Sequence, residues 1–151
     1  MAMDIDTVKT VMPTAIPMVG TLNLEFVELE AQRAIMRLPD QQAYHNHIAG
    51  PHAGAMFILA ESASGALVLA NFGDRLADMT PLAVEATIRY LKVAMGPVTG
   101  TARMSRSAQE VLAELDAGQR PEFSVEIDLT DDSGKATGRM TVLWTLRPNK
   151  R

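Results

Sequence analysis

The chain has 151 residues, of which 47% are hydrophobic and 21% are charged, and its formal net charge is −4. This length is typical of a single domain, here residues 1–151, and the hydrophobic share excludes an intrinsically disordered chain. The absence of cysteine excludes disulfides, thiolate nucleophiles and cysteine-ligated metals. An acidic balance without a Lys/Arg cluster disfavours nucleic-acid binding.

The sequence predicts a cytoplasmic protein that does not insert into membranes. Segment 1–13 is acidic where a signal peptide is basic. The longest apolar stretch, 50–73, contains Glu61 and Asn71, which favour a buried helix of a folded domain over a membrane span.

The first half of the chain predicts one short helix, one hairpin and one long helix. The short helix covers 4–12 and is expected to end at Pro13, because proline disrupts a helix interior. Two short apolar runs within 20–38 are separated by a polar break, which is typical of a hairpin. After a polar loop over 39–51, residues 53–72 predict a helix that is apolar on almost every side and should therefore be buried.

The second half is dominated by strands. Apolar and polar residues alternate from Leu82 to Tyr90, which predicts a half-buried strand. The alternation changes phase at Leu91, and this predicts a β-bulge there. An exposed edge over 82–95 is one that soluble proteins avoid, so we expect this edge to pair with a second copy in a homodimer. A dimer of such dimers is compatible with the same pairing.

The remaining elements complete one sheet. A strand follows a Gly-Pro turn, a short helix covers 108–117, and alternating residues over 123–129 and 140–146 predict a final hairpin. The element order therefore predicts an α+β fold, in which an antiparallel sheet of about six strands packs on one long helix.

One acidic side chain stands out in the long helix. Between His52 and Asp74, only Glu61 can carry a charge. An ionised carboxylate in an apolar core needs partners or a raised pKa. Glu61 is therefore either turned to solvent at an edge of the helix, or it is a general base or nucleophile in a cleft.

The start of the same helix offers a second chemical element. Small residues from Gly50 to Gly54 surround the first backbone N–H groups, which together with the helix dipole can stabilise an oxyanion. This region lies about 10 Å along the helix axis from Glu61, at 1.5 Å per residue. The alternative is a tight packing corner without a chemical role.

Three histidines, His45, His47 and His52, raise the question of a metal site. Imidazoles bind zinc and iron, but Glu61 follows His47 by 14 residues, too far along the chain for a compact His-x-His and glutamate site. We predict neither a metal nor another cofactor, and we interpret His45 and His47 as polar loop residues.

Residues 46–61, NHIAGPHAGAMFILAE, resemble the PaaI-like group of hotdog-fold acyl-CoA thioesterases. That group carries an Asn, then His-Gly-Gly, then an acid on the central helix, and here the acid follows His52 by nine residues and Asn46 by fifteen. Residues 84–94 are similar to the third strand of that family, and the helix at 108–117 is similar to a DUF4442-like subgroup. The resemblance covers nearly the whole chain and implies a hotdog fold, with the sheet wrapped around the central helix.

The resemblance also implies roles for individual residues. Glu61 would be the catalytic carboxylate, and the Ala53 N–H would polarise the thioester carbonyl, with Gly54 beside it. Asn46 would orient the attacking water or the carbonyl, and His52 is the histidine of the His-Gly-Gly element. The sequence departs from the family pattern where Ala53 replaces the first glycine, and where Glu61 replaces the more common aspartate.

Three functions follow as hypotheses. The first is hydrolysis of an acyl-CoA thioester. The second is a hotdog dehydratase or hydratase that pairs His47 with Glu61, and the third is an acyl-CoA-binding protein without catalysis. Whether Asn46 or His47 points at Glu61 discriminates between the first two.

Five further residues are candidates for binding the acyl group and the CoA phosphates of the substrate. Phe57 on the long helix is a candidate for the acyl site and is compatible with an aliphatic or a small aryl chain. Basic side chains near the third strand are candidates for the CoA phosphates, which need charge-assisted donors: Arg89, Lys92, Arg103 and Arg106. Each of the four is also explained as a solvated strand residue.

Overall fold

The structure, a computed structural model, describes residues 3–150. Its helices are α1 (Ile5–Ala15), α2 (Pro17–Thr21), α3 (Ala53–Phe72) and α4 (Ala108–Asp116). Its strands are β1 (Glu25–Leu29), β2 (Ala34–Leu38), β3 (Met79–Tyr90), β4 (Val98–Met104), β5 (Glu122–Asp131) and β6 (Ala136–Pro148). The strands form one antiparallel sheet in the order β1-β2-β4-β5-β6-β3, with α3 packed against it. The predicted α+β architecture is confirmed.

Helix α3 begins and ends as predicted. His52 is its N-cap, and the chain leaves the helix at Gly73. The side facing the sheet consists of fully buried small and aliphatic residues such as Leu59, Ala63 and Leu67. The helix is long and apolar enough to cross a membrane by composition alone, but 67% of its most apolar stretch is buried inside the fold, as in the core helix of a folded domain.

The two predicted hairpins and the short helix α4 are also confirmed. Strand β1 pairs with β2, and β5 pairs with β6. Helix α3 follows β2 and connects it to β3, which lies at the opposite edge of the sheet from β1 and pairs only with β6 among the described strands. The predicted edge position of β3 is therefore correct within the single chain.

The predicted end of the first helix at Pro13 is wrong, because α1 continues through Pro13 to Ala15. The apolar face of α1 buries Val8 and Met12, and this burial offsets the hydrogen bond that Pro13 cannot donate. The helix ends only before Pro17, which begins α2 at a position where its missing N–H costs nothing.

The predicted bulge at Leu91 is also wrong. The register of β3 against β6 shifts between Ala83 and Glu85, so the bulge lies at Val84. The strand ends at Tyr90, and the N–H groups of Leu91 and Lys92 both donate to the carbonyl of Thr137. The change of phase in the sequence therefore marks the end of the strand.

One face of α3 points away from the sheet and is only partly covered. Its half-buried residues lie on one side of the helix: Gly54, Phe57, Ile58, Glu61 and Leu69. Helix α1 covers the C-terminal part of this face, where Met12 packs over Gly65. The N-terminal part, around Glu61, is left uncovered by the described chain.

Candidate active site

The loop before α3 is shaped by the side chain of Asn46. Its Oδ1 accepts hydrogen bonds from the N–H groups of Ile48 and Gly50, both at 3.0 Å, and its Nδ2 donates to the carbonyl of Pro51 at 3.3 Å. These bonds hold a tight turn in which Ala49 has a φ of 59°, in the left-handed region. Asn46 thus serves its own loop and does not point at Glu61.

The first peptide of α3 is held at both ends. The Gly54 N–H donates to Nδ1 of His52 at 2.8 Å, and the Ala53 carbonyl accepts a hydrogen bond from the Tyr90 hydroxyl, also at 2.8 Å. Among residues 3–150, the Ala53 N–H has no hydrogen-bond acceptor. Of the two N–H groups that the resemblance implies for an oxyanion, the one of Ala53 is therefore open, and the one of Gly54 is engaged by His52.

A cavity of about 440 Å³ opens beside this helix start. It is bordered by the loop over 46–51, by Ala53 and Met56 on α3, and by the segment 90–94 that ends β3. Its walls are mainly apolar, and Lys92 contributes a charged side chain. The cavity therefore joins the open Ala53 N–H to an apolar surface with one cation at its border.

Glu61 lies on the same helix, about 12 Å along its axis from Ala53. It is half-buried, and burial raises the pKa of its carboxyl group. Its carboxylate has no hydrogen-bond or ion-pair partner within the described part of the chain.

Comparison with known proteins places this arrangement in a family. The model of a domain of unknown function, DUF4442, matches residues 6–146. The chain belongs to the DUF4442 family. No curated protein matches the sequence significantly.

Solved structures similar to this DUF4442 protein have the hotdog fold. A protein of Pseudomonas aeruginosa described as a probable thioesterase is 29% identical, with a TM-score of 0.87 and 99% of each chain covered. A variant of a second thioesterase from the same organism is 20% identical, with a TM-score of 0.75 over 97% of this chain and 95% of the other. A Chlorobaculum tepidum protein of unknown function is 12% identical, with a TM-score of 0.85 over 96% and 94%. The chain is thus a hotdog protein of the thioesterase type, which confirms the predicted fold and family.

The DUF4442 chain does not bring the four basic candidates together. Arg89 and Arg103 are exposed and lie on the outer face of the sheet, since Ile88 and Ala102 beside them face the core. Arg106 is paired with Glu114. Lys92 lies at the cavity border, so it is the one of the four that the fold brings to the helix start.

Phe57 and the histidines are placed as follows. Phe57 is half-buried on the partly covered face of α3, one turn before Glu61. His52 caps the helix, His45 bonds Asp40 through Nε2 at 2.6 Å, and His47 is exposed. Within the described range 3–150, no three His, Asp or Glu side chains are grouped so that they could hold a metal ion.

Sequence reasoning did not identify Tyr90 as a site residue. It is the last residue of the alternating strand, and its partner Ala53 is 37 positions away in the chain. The similarity of 84–94 to the third strand of the family is a signal for this segment, but only the packing of β3 on the start of α3 reveals the hydrogen bond.

Proposed function

We propose that the protein hydrolyses acyl-CoA thioesters to a free acid and CoA, with Glu61 as general base or nucleophile. The observation that carries this proposal is the half-buried Glu61 carboxylate, which has a raised pKa and no partner within residues 3–150. An unpaired buried carboxylate lowers stability, so a site that retains one is a candidate for catalysis. The similarity to proteins named as thioesterases supports the same reaction.

The distance between the two chemical groups favours a homodimeric site. A carbonyl that reacts at Glu61 must also lie within about 3 Å of the N–H that binds its oxyanion. In one chain, Ala53 and Glu61 are separated by about 12 Å along the helix. Two-fold pairing through the β3 edge would allow the helix start of a second copy to approach the uncovered Glu61.

Exposed apolar side chains support this pairing. Val84 on β3 and Leu91, Val93 and Met95 after it are each about half exposed or more, and Ile48 lies in the adjoining loop. Large apolar residues grouped along an unpaired strand edge are typical of an interface. A dimer, or a dimer of dimers, would cover them.

In the water route, the Glu61 carboxylate takes a proton from water while the oxygen adds to the thioester carbonyl carbon. The oxyanion that forms accepts a hydrogen bond from an Ala53 N–H. Its collapse breaks the carbon–sulfur bond, and the departing CoA thiolate takes the proton from Glu61. In the nucleophilic route, Glu61 itself attacks the carbonyl and expels the thiolate, and water then hydrolyses the resulting anhydride.

The described contacts do not favour the dehydratase alternative. It needs the His47 imidazole beside Glu61, but His47 is exposed in the loop that precedes α3. The remaining alternative, acyl-CoA binding without turnover, retains the cavity and differs only in the role of Glu61. Activity measurements separate it from hydrolysis.

The test is a panel of acyl-CoA thioesters assayed with a thiol-trapping reagent. The Glu61→Gln variant keeps the shape of the side chain but cannot take up a proton, so hydrolysis should fall by about two to four orders of magnitude. Glu30→Gln, an exposed glutamate in the β1–β2 turn, is the matched control and should retain full activity. Full activity in Glu61→Gln contradicts the proposal, and binding without turnover in the wild type supports the binding protein.

A further inference from the structure

We propose that two copies of the chain pair their β3 edges around a two-fold axis at Thr87, and that reciprocal ion pairs between Glu85 and Arg89 set this register. The inference rests on the proposed function, which places the active site in a homodimer formed through β3. It adds the residues that meet across the axis. A register shifted by two residues would move the second copy by about 7 Å along the strand, and with it the helix start that is to approach Glu61.

Glu85 and Arg89 are exposed charges of opposite sign on the free edge of the sheet. They share the outer face and lie four residues apart, which corresponds to about 13 Å and prevents pairing within one chain. Neither side chain has a hydrogen-bond or ion-pair partner among residues 3–150. Arg89 faces Arg139 of β6, whose charge is already paired with Asp128. Like charges directly opposite destabilise a sheet, so the single chain leaves the charge of Arg89 uncompensated.

The backbone of β3 restricts the registers in which a second copy can pair. The Leu91 N–H donates to the Thr137 carbonyl of β6, and the residues that bond to one neighbour alternate along an antiparallel strand. The register against β6 is regular from Glu85 onward, so Ala86 and Ile88 direct their N–H and C=O groups to the free edge. A second copy must bond to these even-numbered residues. Only registers that pair even with even residues, and odd with odd, therefore form a ladder.

The charges select one of these registers, the one centred on Thr87. Around this axis, Ala86 bonds to the partner's Ile88, and Glu85 lies opposite the partner's Arg89, with the same two pairs repeated on the other side. Axes at Glu85 or Arg89 would place like charges opposite each other. Axes at Ala86 or Ile88 would leave both charges without a partner. Thr87 meets its own copy, and Thr–Thr pairs across strands are favourable.

The ion pairs set the position of the second copy more than the strength of the dimer. Exposed ion pairs add little affinity, whereas complementary charges across an interface fix its register. The affinity comes mainly from the ladder and from covered apolar surface. The same register places Val84, which is 48% exposed, beside the partner's Tyr90, which is 47% exposed.

A single introduced cysteine reports the register directly, because the chain has no cysteine of its own. Across the proposed axis, two copies of Thr87→Cys would have Cα atoms about 4.5 Å apart, a separation that a disulfide can bridge. Leu91→Cys, also exposed, is the matched control, since its two copies would lie eight residues apart along the strands, about 26 Å. After mild oxidation, a non-reducing gel should show a linked dimer for Thr87→Cys and none for Leu91→Cys.

Charge reversal tests the ion pairs. Glu85→Arg and Arg89→Glu each place like charges opposite each other on both sides of the axis, so each variant alone should dimerise about tenfold more weakly than the wild type, or worse. Mixing the two variants restores both ion pairs, and native mass spectrometry should show the heterodimer as the main species. Arg103→Glu reverses a charge on the outer face away from the edge and should dimerise like the wild type.

The outcomes separate the register from the proposed function. If Thr87→Cys is linked and the heterodimer dominates, but no thioester is hydrolysed, the proposed function fails and the register stands. If the wild type hydrolyses thioesters but Thr87→Cys is not linked and the mixed variants show no preference for each other, the register is overturned and the proposed hydrolysis stands. A wild-type monomer at micromolar concentration also overturns the register.

Discussion

The hydroxyl of Tyr90, the last residue of β3, donates a hydrogen bond of 2.8 Å to the carbonyl of Ala53, the first residue of α3. The same peptide unit donates through the Gly54 N–H to His52 Nδ1. One strand residue and one cap residue thus fix the orientation of the helix start from opposite sides. The open Ala53 N–H precedes this peptide and depends on it for its direction.

The Tyr90→Phe variant should lower kcat for acyl-CoA hydrolysis about two- to tenfold with little change in KM, since a single hydrogen bond contributes about 0.5–1.5 kcal/mol. Tyr44→Phe is the matched control, because Tyr44 also donates to a backbone carbonyl, that of Leu22, at 3.0 Å. Both variants should lose similar stability in thermal unfolding. Equal loss of kcat in the two variants would indicate that Tyr90 has only a structural role.

Glu61 should make the stability of the protein depend on pH. Burial raises the pKa of Glu61 in the folded state above its unfolded value of about 4.3, so the folded state holds the proton more tightly. The free energy of unfolding should therefore fall as pH rises from the unfolded pKa to the folded pKa of Glu61. Above the folded pKa, the ionisation of Glu61 should lower it no further. Glu61→Gln should be more stable than the wild type at neutral pH and lose this advantage below about pH 4.

Urea unfolding across this pH range measures the difference in free energy of unfolding between Glu61→Gln and the wild type. Glu30→Gln is measured in the same way as the control variant. An advantage of Glu61→Gln that is the same at pH 4 and pH 7 would show that ionisation of Glu61 is not its cause. Hydrolysis should respond in the opposite sense: kcat/KM falls as pH drops through the raised pKa, because the base becomes protonated.

Two valines on opposite edges of the sheet test the proposed dimer. Val84 on β3 is 48% exposed and Val27 on β1 is 56% exposed. An aspartate at Val84 would bury a charge in the interface, so Val84→Asp should reduce the mass measured by light scattering to that of a monomer at micromolar concentration. Val27→Asp should leave the mass unchanged. A wild-type monomer, or dissociation by Val27→Asp alone, would contradict pairing through β3.

Lys92 is the basic candidate that the fold brings to the cavity, so Lys92→Ala should raise KM for acyl-CoA. A thioester of N-acetylcysteamine lacks the nucleotide phosphates and should be hydrolysed as well as before. Arg103→Ala removes a cation from the outer face of the sheet and is the control for the loss of one positive charge. If both substrates respond alike to Lys92→Ala, the residue serves the fold or the acyl site instead of CoA.

The local elements were predictable because their signals are local. The apolar run over 53–72 ends at Gly73, and β5 and β6 alternate strictly enough to define which side chains face the core. Errors arose where packing overrides a local rule. Burial of Val8 and Met12 carries α1 through Pro13, and the phase change at Leu91 marks a strand end because its N–H leaves the ladder for Thr137.

By itself, the sequence determined the α+β architecture and the bounds of α3, and it singled out Glu61 as a candidate, since hydrophobic periodicity and one lone charge are visible in a single chain. Only the tertiary structure decided that Tyr90 reaches Ala53, that Asn46 is used within its own loop, and that Arg103 faces away from the helix. The bond of Tyr90 joins residues 37 positions apart in the chain, and the direction of Arg103 depends on which face of the sheet β4 presents. Strand order and register determine both, and they follow from how the whole core packs, whereas the local Asn46 bonds depend on the conformation of its loop.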